Sequence, residues 1–369
     1  MALTSPALFV VVCVLAVGVL ALAVLDKPHP SRAGLQMLAR AARVMAVSAL
    51  SVLLFGLALN DQYVFYTSWA DLLGSSDQAT THTIGDTTAA QTRQLPGKGL
   101  TGQQPPTVLP ALPAPSQRLQ SYAVSSPDIA GPAQVLVELP PNYDPASAHT
   151  YPVIIGLHGF PSSPDSYLKT GIVTVQEQLV SKHALAPSIV VIPQINVPRS
   201  LDTECVDGGP GQPHVDSWLS HDLPRWIVAH FRVRTDRLSW VTVGYSYGGW
   251  CAASLGLRHP DIFGAAIVFQ GYFRPDFGPH YVPATSTLAQ YDLVRLESRH
   301  PVPLSMWTIT SRQDSLSYPS TAQFLRGARP PTAVTATVLP HGGHRNAVWQ
   351  PFIGPALTWL GHTLPGFHA

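Results

Sequence analysis

The chain has 369 residues, and its 22 Lys and Arg against 21 Asp and Glu leave a formal net charge of +1. That balance marks neither a nucleic-acid partner nor an acidic tail. Charged residues are only 12% and apolar residues 46%. These proportions exclude an ordinary cytosolic enzyme, for which about 25% charged is usual, and the apolar excess sits at the N-terminus.

Residues 7–25 form an unbroken apolar run, long enough to cross most of a hydrocarbon core of about 30 Å. A second run goes from Val44 to Leu59, and Tyr63, Phe65, Tyr66 and Trp69 follow it at the place where aromatics favour a membrane interface. Between the runs stand Lys27, Arg32, Arg40 and Arg43 against the single acid Asp26. The positive-inside rule puts this connection in the cytoplasm and the rest of the chain outside. The expectation is a two-helix membrane hairpin over residues 1–60, with helices at about 7–25 and 44–60. A cleaved signal peptide is the alternative, with Ala21-Leu22-Ala23 as its cleavage site. The first six residues, however, lack the positive charge of such a leader. Either way the second run anchors the chain in the bilayer, and the C-terminal part is exported.

Residues 61–116 are rich in Thr, Gln, Gly and Pro, as in "GKGLTGQQPPTVLPALPAP". With no apolar period the stretch reads as a flexible to semi-rigid tether. From 117 to 369 the pattern changes. Short apolar runs ("QVLVELP", "YPVIIGLHG", "SIVVIPQI", "LSWVTVGYS", "AAIVFQGY", "LSMWTITS", "TAVTATVLP") alternate with helical stretches such as "VDSWLSHDLPRWIVAHF". Apolar strands separated by helices indicate a mostly parallel sheet covered on both faces. The fold class expected is α/β.

Gly244-Tyr245-Ser246-Tyr247-Gly248 fits G-x-S-x-G. It directly follows the strand "SWVTV" and directly precedes the helical "GGWCAASLGLRHP". Strand, sharp turn and helix are what a nucleophile elbow needs, and the helix N-terminus aims free N–H groups at a developing oxyanion. Ser246 is therefore the candidate nucleophile. A serine hydroxyl needs a base, and of the fifteen histidines the one wanted lies in the loop after the last strand. "TAVTATVLPHGGHRNAVW" offers His341 and His344, and the preceding Gly342-Gly343 turn favours His344. The acid belongs after the previous strand, where "PLSMWTITSRQDSLSY" places Asp314, with Asp292 and Glu297 in reserve. The loop after "IIGLHGF" supplies one oxyanion N–H, from Phe160, and Tyr247 supplies the other, which leaves both side chains to shape a pocket. His158 orders that loop. Nothing near it has metal-ligand spacing, so neither metal nor cofactor is expected.

Residues from about 117 to the C-terminus resemble the esterase family of α/β-hydrolases that includes esterase D and the mycolyltransferases of actinobacterial envelopes. "YPVIIGLHGF", "GYSYGGWCAASLGLRHPDIFGAA", the Asp314 segment and "GGHRNAVW" carry the resemblance. It implies the α/β-hydrolase fold, a Ser246–His344–Asp314 triad and oxyanion donors at Phe160 and Tyr247. Asp314 departs from the mycolyltransferases, which carry Glu there, and this puts ester hydrolysis ahead of acyl transfer.

Of three cysteines, Cys13 lies in the first apolar run. Cys205 and Cys251, in an exported domain, are expected to form a disulfide that pins the polar loop "LDTECVDGGPGQPH" beside Ser246. Asp202, Glu204 and Asp207 in that loop would favour a cationic or polyhydroxyl substrate. The leading reading is a membrane-anchored, extracytoplasmic serine esterase acting on an acyl ester of an envelope lipid or glycan. An acyltransferase using the same acyl-enzyme, and a catalytically silent surface-binding module, are the alternatives.

Overall fold

The structure is a computed structural model that describes residues 3, 5–25, 33–63, 65–73, 79–92, 95, 99–278 and 280–369. The chain divides into two compact units. The smaller takes in Met1–Gln78 with two short loops, Arg312–Ser315 and Pro340–Arg345. The larger is Ala79–Ser311, Leu316–Leu339 and Asn346–Ala369.

In the smaller unit, helix α1 spans Pro6–Leu25 and helix α2 spans Ala33–Tyr63. The two pack as an antiparallel hairpin: Arg43 Nη1 donates to the Leu22 carbonyl at one end, and Leu3 meets Leu57 at the other. Both helices are long and apolar enough to cross a membrane, and only 6% of each span is buried in the protein. Their exposed faces carry Val10, Leu15, Val17, Leu22, Val52 and Phe55. The second helix begins well before Val44. Apart from Gly34, its early residues "AGLQMLARAAR" are good helix formers, and basic side chains mark an interface without breaking a helix. Asp26, Lys27 and Arg32 lie outside the described residues.

The larger unit is built on a nine-stranded sheet ordered β1-β9-β8-β7-β6-β4-β5-β3-β2. The strands are β1 Thr80–Ile84, β2 Leu119–Val124, β3 Ala133–Glu138, β4 Val153–Leu157, β5 Ile189–Pro193, β6 Trp240–Tyr245, β7 Ala265–Phe269, β8 Ser305–Ser311 and β9 Ala333–Leu339. The six strands from β5 to β9 across the centre run parallel, and β1, β2 and β3 are antiparallel additions at the two sides. Strands β4, β5, β6 and β7 are buried at every position. Such runs show no alternation because helices cover both faces. One face packs Trp218, Ile227, Trp250 and Leu255, and the other packs Ile172, Ile353, Leu357 and Phe367.

Part of the stretch read as a tether is folded. Thr80–Ile84 pairs with β9 from Thr80↔Val338 to Ile84↔Val334, and helix Thr87–Thr92 follows. Ala90 and Leu100 are buried. The strand escapes an apolar-pattern search because four of its five residues face solvent. Its β-branched threonines suit an edge strand whose job is to close the β9 side.

Candidate active site

The elbow grows out of steric demands on the backbone. At Ser246, directly after β6, φ is 56° and ψ is −125°. For a residue with a Cβ this conformation costs of order 1–3 kcal/mol, and it persists only where the surroundings enforce it. The enforcement is visible. Ser246 N–H donates to the Phe269 carbonyl of β7 at 2.9 Å, and Trp250 N–H returns to the Ser246 carbonyl at 3.0 Å. A Cβ on Gly244 would stand 2.0 Å from the Gly248 carbonyl oxygen, and one on Gly248 would stand 2.1 Å from that of Leu157. Only glycine permits the helix Tyr247–Arg258 to start so close to β4 and β6. Tyr247 is the first residue of that helix, so its N–H belongs to the set that helices leave without an internal partner.

The loop after β4 lies beside this turn. A Cβ on Gly159 would approach the Ser246 Cβ at 3.7 Å. His158 is fully buried and fixes the loop from within. Its Nδ1 donates to the Gly159 carbonyl at 2.7 Å, and its Nε2 accepts from the Ile195 N–H at 3.4 Å. A ring that donates at one nitrogen and accepts at the other is neutral. Burial agrees, pushing the imidazole down to about 4. Phe160 is partly exposed, and its ring lies 5.8 Å from that of Tyr247.

The Tyr247 side chain is 3% exposed. Its hydroxyl pairs with Thr203 Oγ1 at 3.0 Å and accepts from the Cys205 N–H at 3.3 Å. Cys205 and Cys251 are joined in a disulfide. The polar loop is thus tied to the elbow helix by a covalent bond and a phenol. Trp250 Nε1 adds a third tie, to the Glu204 carbonyl at 2.7 Å.

The three acids of that loop have different fates. Asp207 turns away, accepting from Ser217 N–H at 2.9 Å and Ser217 Oγ at 2.7 Å. Glu204 is buried, and its Oε1 accepts from Tyr272 Oη at 2.6 Å. Burial raises its carboxyl well above the usual range, against the pull of the Tyr272 hydrogen bond. Asp202 is pushed up to about 6, also by burial. Tyr272 was not singled out from sequence. Nothing about a lone tyrosine after β7 marks it as a partner for an acid 68 residues earlier.

In the smaller unit, Asp314 and His344 meet. His344 Nδ1 bonds Asp314 Oδ2 at 2.9 Å, and the carboxylate side chain is fully buried. Asp314 follows β8 and His344 follows β9. The reserve acids are engaged elsewhere. Asp292 caps helix Leu293–Arg299 and pairs with Arg274, while buried Glu297 accepts from Thr332 Oγ1 at 2.9 Å. His341 is exposed. A second aspartate–histidine contact, Asp216 with His259 at 3.1 Å, also engages Arg258 and belongs to a buried ionic cluster.

A mostly parallel sheet, helices on both faces and a serine at the strand–turn–helix corner define an α/β-hydrolase. Residues 126–351 match the family described as "Putative esterase". The chain belongs to that family and to its hydrolase class. Among curated proteins, an uncharacterized protein of Corynebacterium glutamicum is 26% identical over 242 residues, covering 60% of this chain and 55% of the relative. The chain therefore spans about half the length of that relative. A ferulic acid esterase structure superposes with a TM-score of 0.56 at 19% identity, covering 66% of this chain and 98% of its own. An S-formylglutathione hydrolase from Agrobacterium tumefaciens gives 0.55 at 17%, with 67% and 95% covered. A fluorophosphonate-binding serine hydrolase of Staphylococcus aureus gives 0.53 at 18%, with 66% and 97% covered. At these identities the likeness is one of fold.

Proposed function

We propose that the chain is a membrane-anchored, extracytoplasmic serine esterase that uses Ser246 as nucleophile, His344 as base and Asp314 as the acid that orients the base. The observation that supports this most is the backbone at Ser246. A strained conformation, guarded by two glycines that admit no Cβ, lifts one hydroxyl out of the turn at a helix N-terminus. The Asp314–His344 hydrogen bond supports the rest. With Nδ1 engaged by the carboxylate, Nε2 is the nitrogen that takes the serine proton.

The reaction runs in two halves. Ser246 Oγ attacks the ester carbonyl while its proton passes to His344 Nε2. The backbone N–H groups of Phe160 and Tyr247 hold the oxyanion. The tetrahedral intermediate collapses, His344 protonates the departing alcohol, and an acyl-enzyme remains. Water, deprotonated by His344, then attacks the acyl carbonyl. Acid is released and Ser246 is restored.

The hairpin α1–α2 supports placement in a membrane. The basic residues Arg40 and Arg43, with Lys27 and Arg32, support a cytoplasmic connection and an exported catalytic unit. An enzyme fixed at the bilayer fits an acyl ester carried by an envelope lipid or glycan. The test is turnover of a panel of lipid-borne and soluble esters by wild type and Ser246→Ala, both in nanodiscs. The substitution should lower turnover at least about 10³-fold with the fold intact. Near-normal turnover would remove Ser246 from the chemistry.

A further inference from the structure

The segment that leaves α2 holds the two loops that carry Asp314 and His344. Arg345, next in sequence to His344, sends a forked pair of hydrogen bonds to the Asp71 carboxylate, Nη1 to Oδ2 at 2.9 Å and Nη2 to Oδ1. Its Nη1 also donates to the Phe65 carbonyl, and its guanidinium lies 4.2 Å from the centre of the Tyr66 ring. The Arg345 and Asp71 side chains are 16% and 7% exposed, so this pair is shielded from the solvent that weakens surface ion pairs.

Asp71 is itself held for the task. Its Oδ2 accepts from the Thr67 N–H at 3.0 Å and from Thr67 Oγ1 at 3.3 Å, and its N–H is capped by Ser68 Oγ at 3.1 Å. Burial opposes ionisation of this carboxyl, but the Arg345 guanidinium and the Thr67 donors hold it below its usual range. Thr67 Oγ1 also bonds Gln313, the neighbour of Asp314. At the membrane end, Asn60 and the Tyr66 backbone exchange two hydrogen bonds, at 2.9 and 2.7 Å. A contiguous set of contacts therefore leads from the end of α2 through Asn60, Tyr66 and Arg345 to His344.

We propose that Asp71 and Arg345 are positioning residues for the reaction: the chain leaving the membrane grips the loop of the base, so the anchor is part of what aligns His344 with Asp314. The proposal rests on the reading of His344 as base. A leash that only retains the enzyme would need no contact with this loop. A grip on Arg345 and Gln313 touches the neighbours of both the base and the acid. A base displaced by about 1 Å can lose on the order of 10²-fold in rate.

The test uses full-length protein in nanodiscs and a soluble short-chain ester, so that access to lipid plays no part. Asp71→Asn should lower kcat about 10-fold to 100-fold and leave KM within about 2-fold, because the loss lies in the transition state. The charge exchange Asp71→Arg with Arg345→Asp should recover much of that loss. Should Asp71→Asn fail to fold, Arg345→Lys carries the test, since it keeps the charge and loses the fork. A folded variant with wild-type kcat, measured beside an inactive His344→Ala, would overturn the latch alone. Wild-type kcat in His344→Ala would overturn the base reading and the proposal together.

Discussion

Two loop systems carry the candidate chemistry, and they are held in place by opposite means. The turn at Ser246 is fixed by short-range sterics: β6 runs straight into it, Gly244 and Gly248 admit no Cβ, and the helix begins at once. The loop of His344 is held from farther along the chain. It is secured by the Asp314 carboxylate 30 residues earlier and by Asp71, 274 residues from Arg345. The proposed nucleophile is a property of one motif, whereas the proposed base depends on parts of the chain that meet only in the fold. Substitutions at the elbow should therefore act through strain, and substitutions around the base through lost alignment.

The contrast breaks if the histidine assignment is wrong. His344→Ala should lower turnover of a soluble ester about 10³-fold or more, since triad members act as a unit. His341→Ala, at an exposed position before the Gly342-Gly343 turn, should stay within about 3-fold of wild type, as surface changes usually do. Reversal of the two results would move the base to His341.

The disulfide sharpens the comparison on the elbow side. It ties Cys205 to Cys251 across 46 residues. Replacing both cysteines with serine should cost about 2–4 kcal/mol of stability in the oxidised protein. Denaturant unfolding of wild type under reducing conditions should match the double variant. Equal midpoints for oxidised wild type and variant would show that the bridge leaves stability untouched.

The smallest effect concerns the loop after β4. His158 is neutral in the fold, and its pKa is lowered from 6.5 to about 4 by burial. A base with a depressed folded pKa supports stability above its unfolded pKa, and that support is lost as pH falls through the window from 6.5 to about 4. Wild type should lose thermal midpoint across that window more steeply than His158→Gln. Parallel curves would mean that the ring titrates freely.

The sequence made the covered sheet readable because β4, β5 and β7 are apolar throughout and β6 is broken only by Thr242. It made the turn at Ser246 readable because a strand–turn–helix corner is local. The pairing of Asp314 with His344 was reachable through chain order, since each follows a parallel strand. The grip of Asp71 on Arg345 was not readable, because neither residue type nor spacing marks an ion pair across 274 residues. β1 was missed for a different reason. Its exposed threonines show no apolar alternation, and its role comes from the β9 edge that it covers. The motif marks the Tyr247 backbone as a candidate oxyanion donor, yet the commitment of its hydroxyl to Thr203 and Cys205 depends on a loop that arrives from β5.

The central claim is that Ser246 forms a covalent acyl-enzyme. The most direct measurement treats full-length protein in nanodiscs with a fluorophosphonate and maps the adduct by peptide mass spectrometry. The account predicts one adduct, on the peptide containing Ser246, slowed at least about 10²-fold in His344→Ala and absent in Ser246→Ala. A stoichiometric adduct on another residue, or a wild-type protein that stays unmodified while it turns over ester, would contradict it.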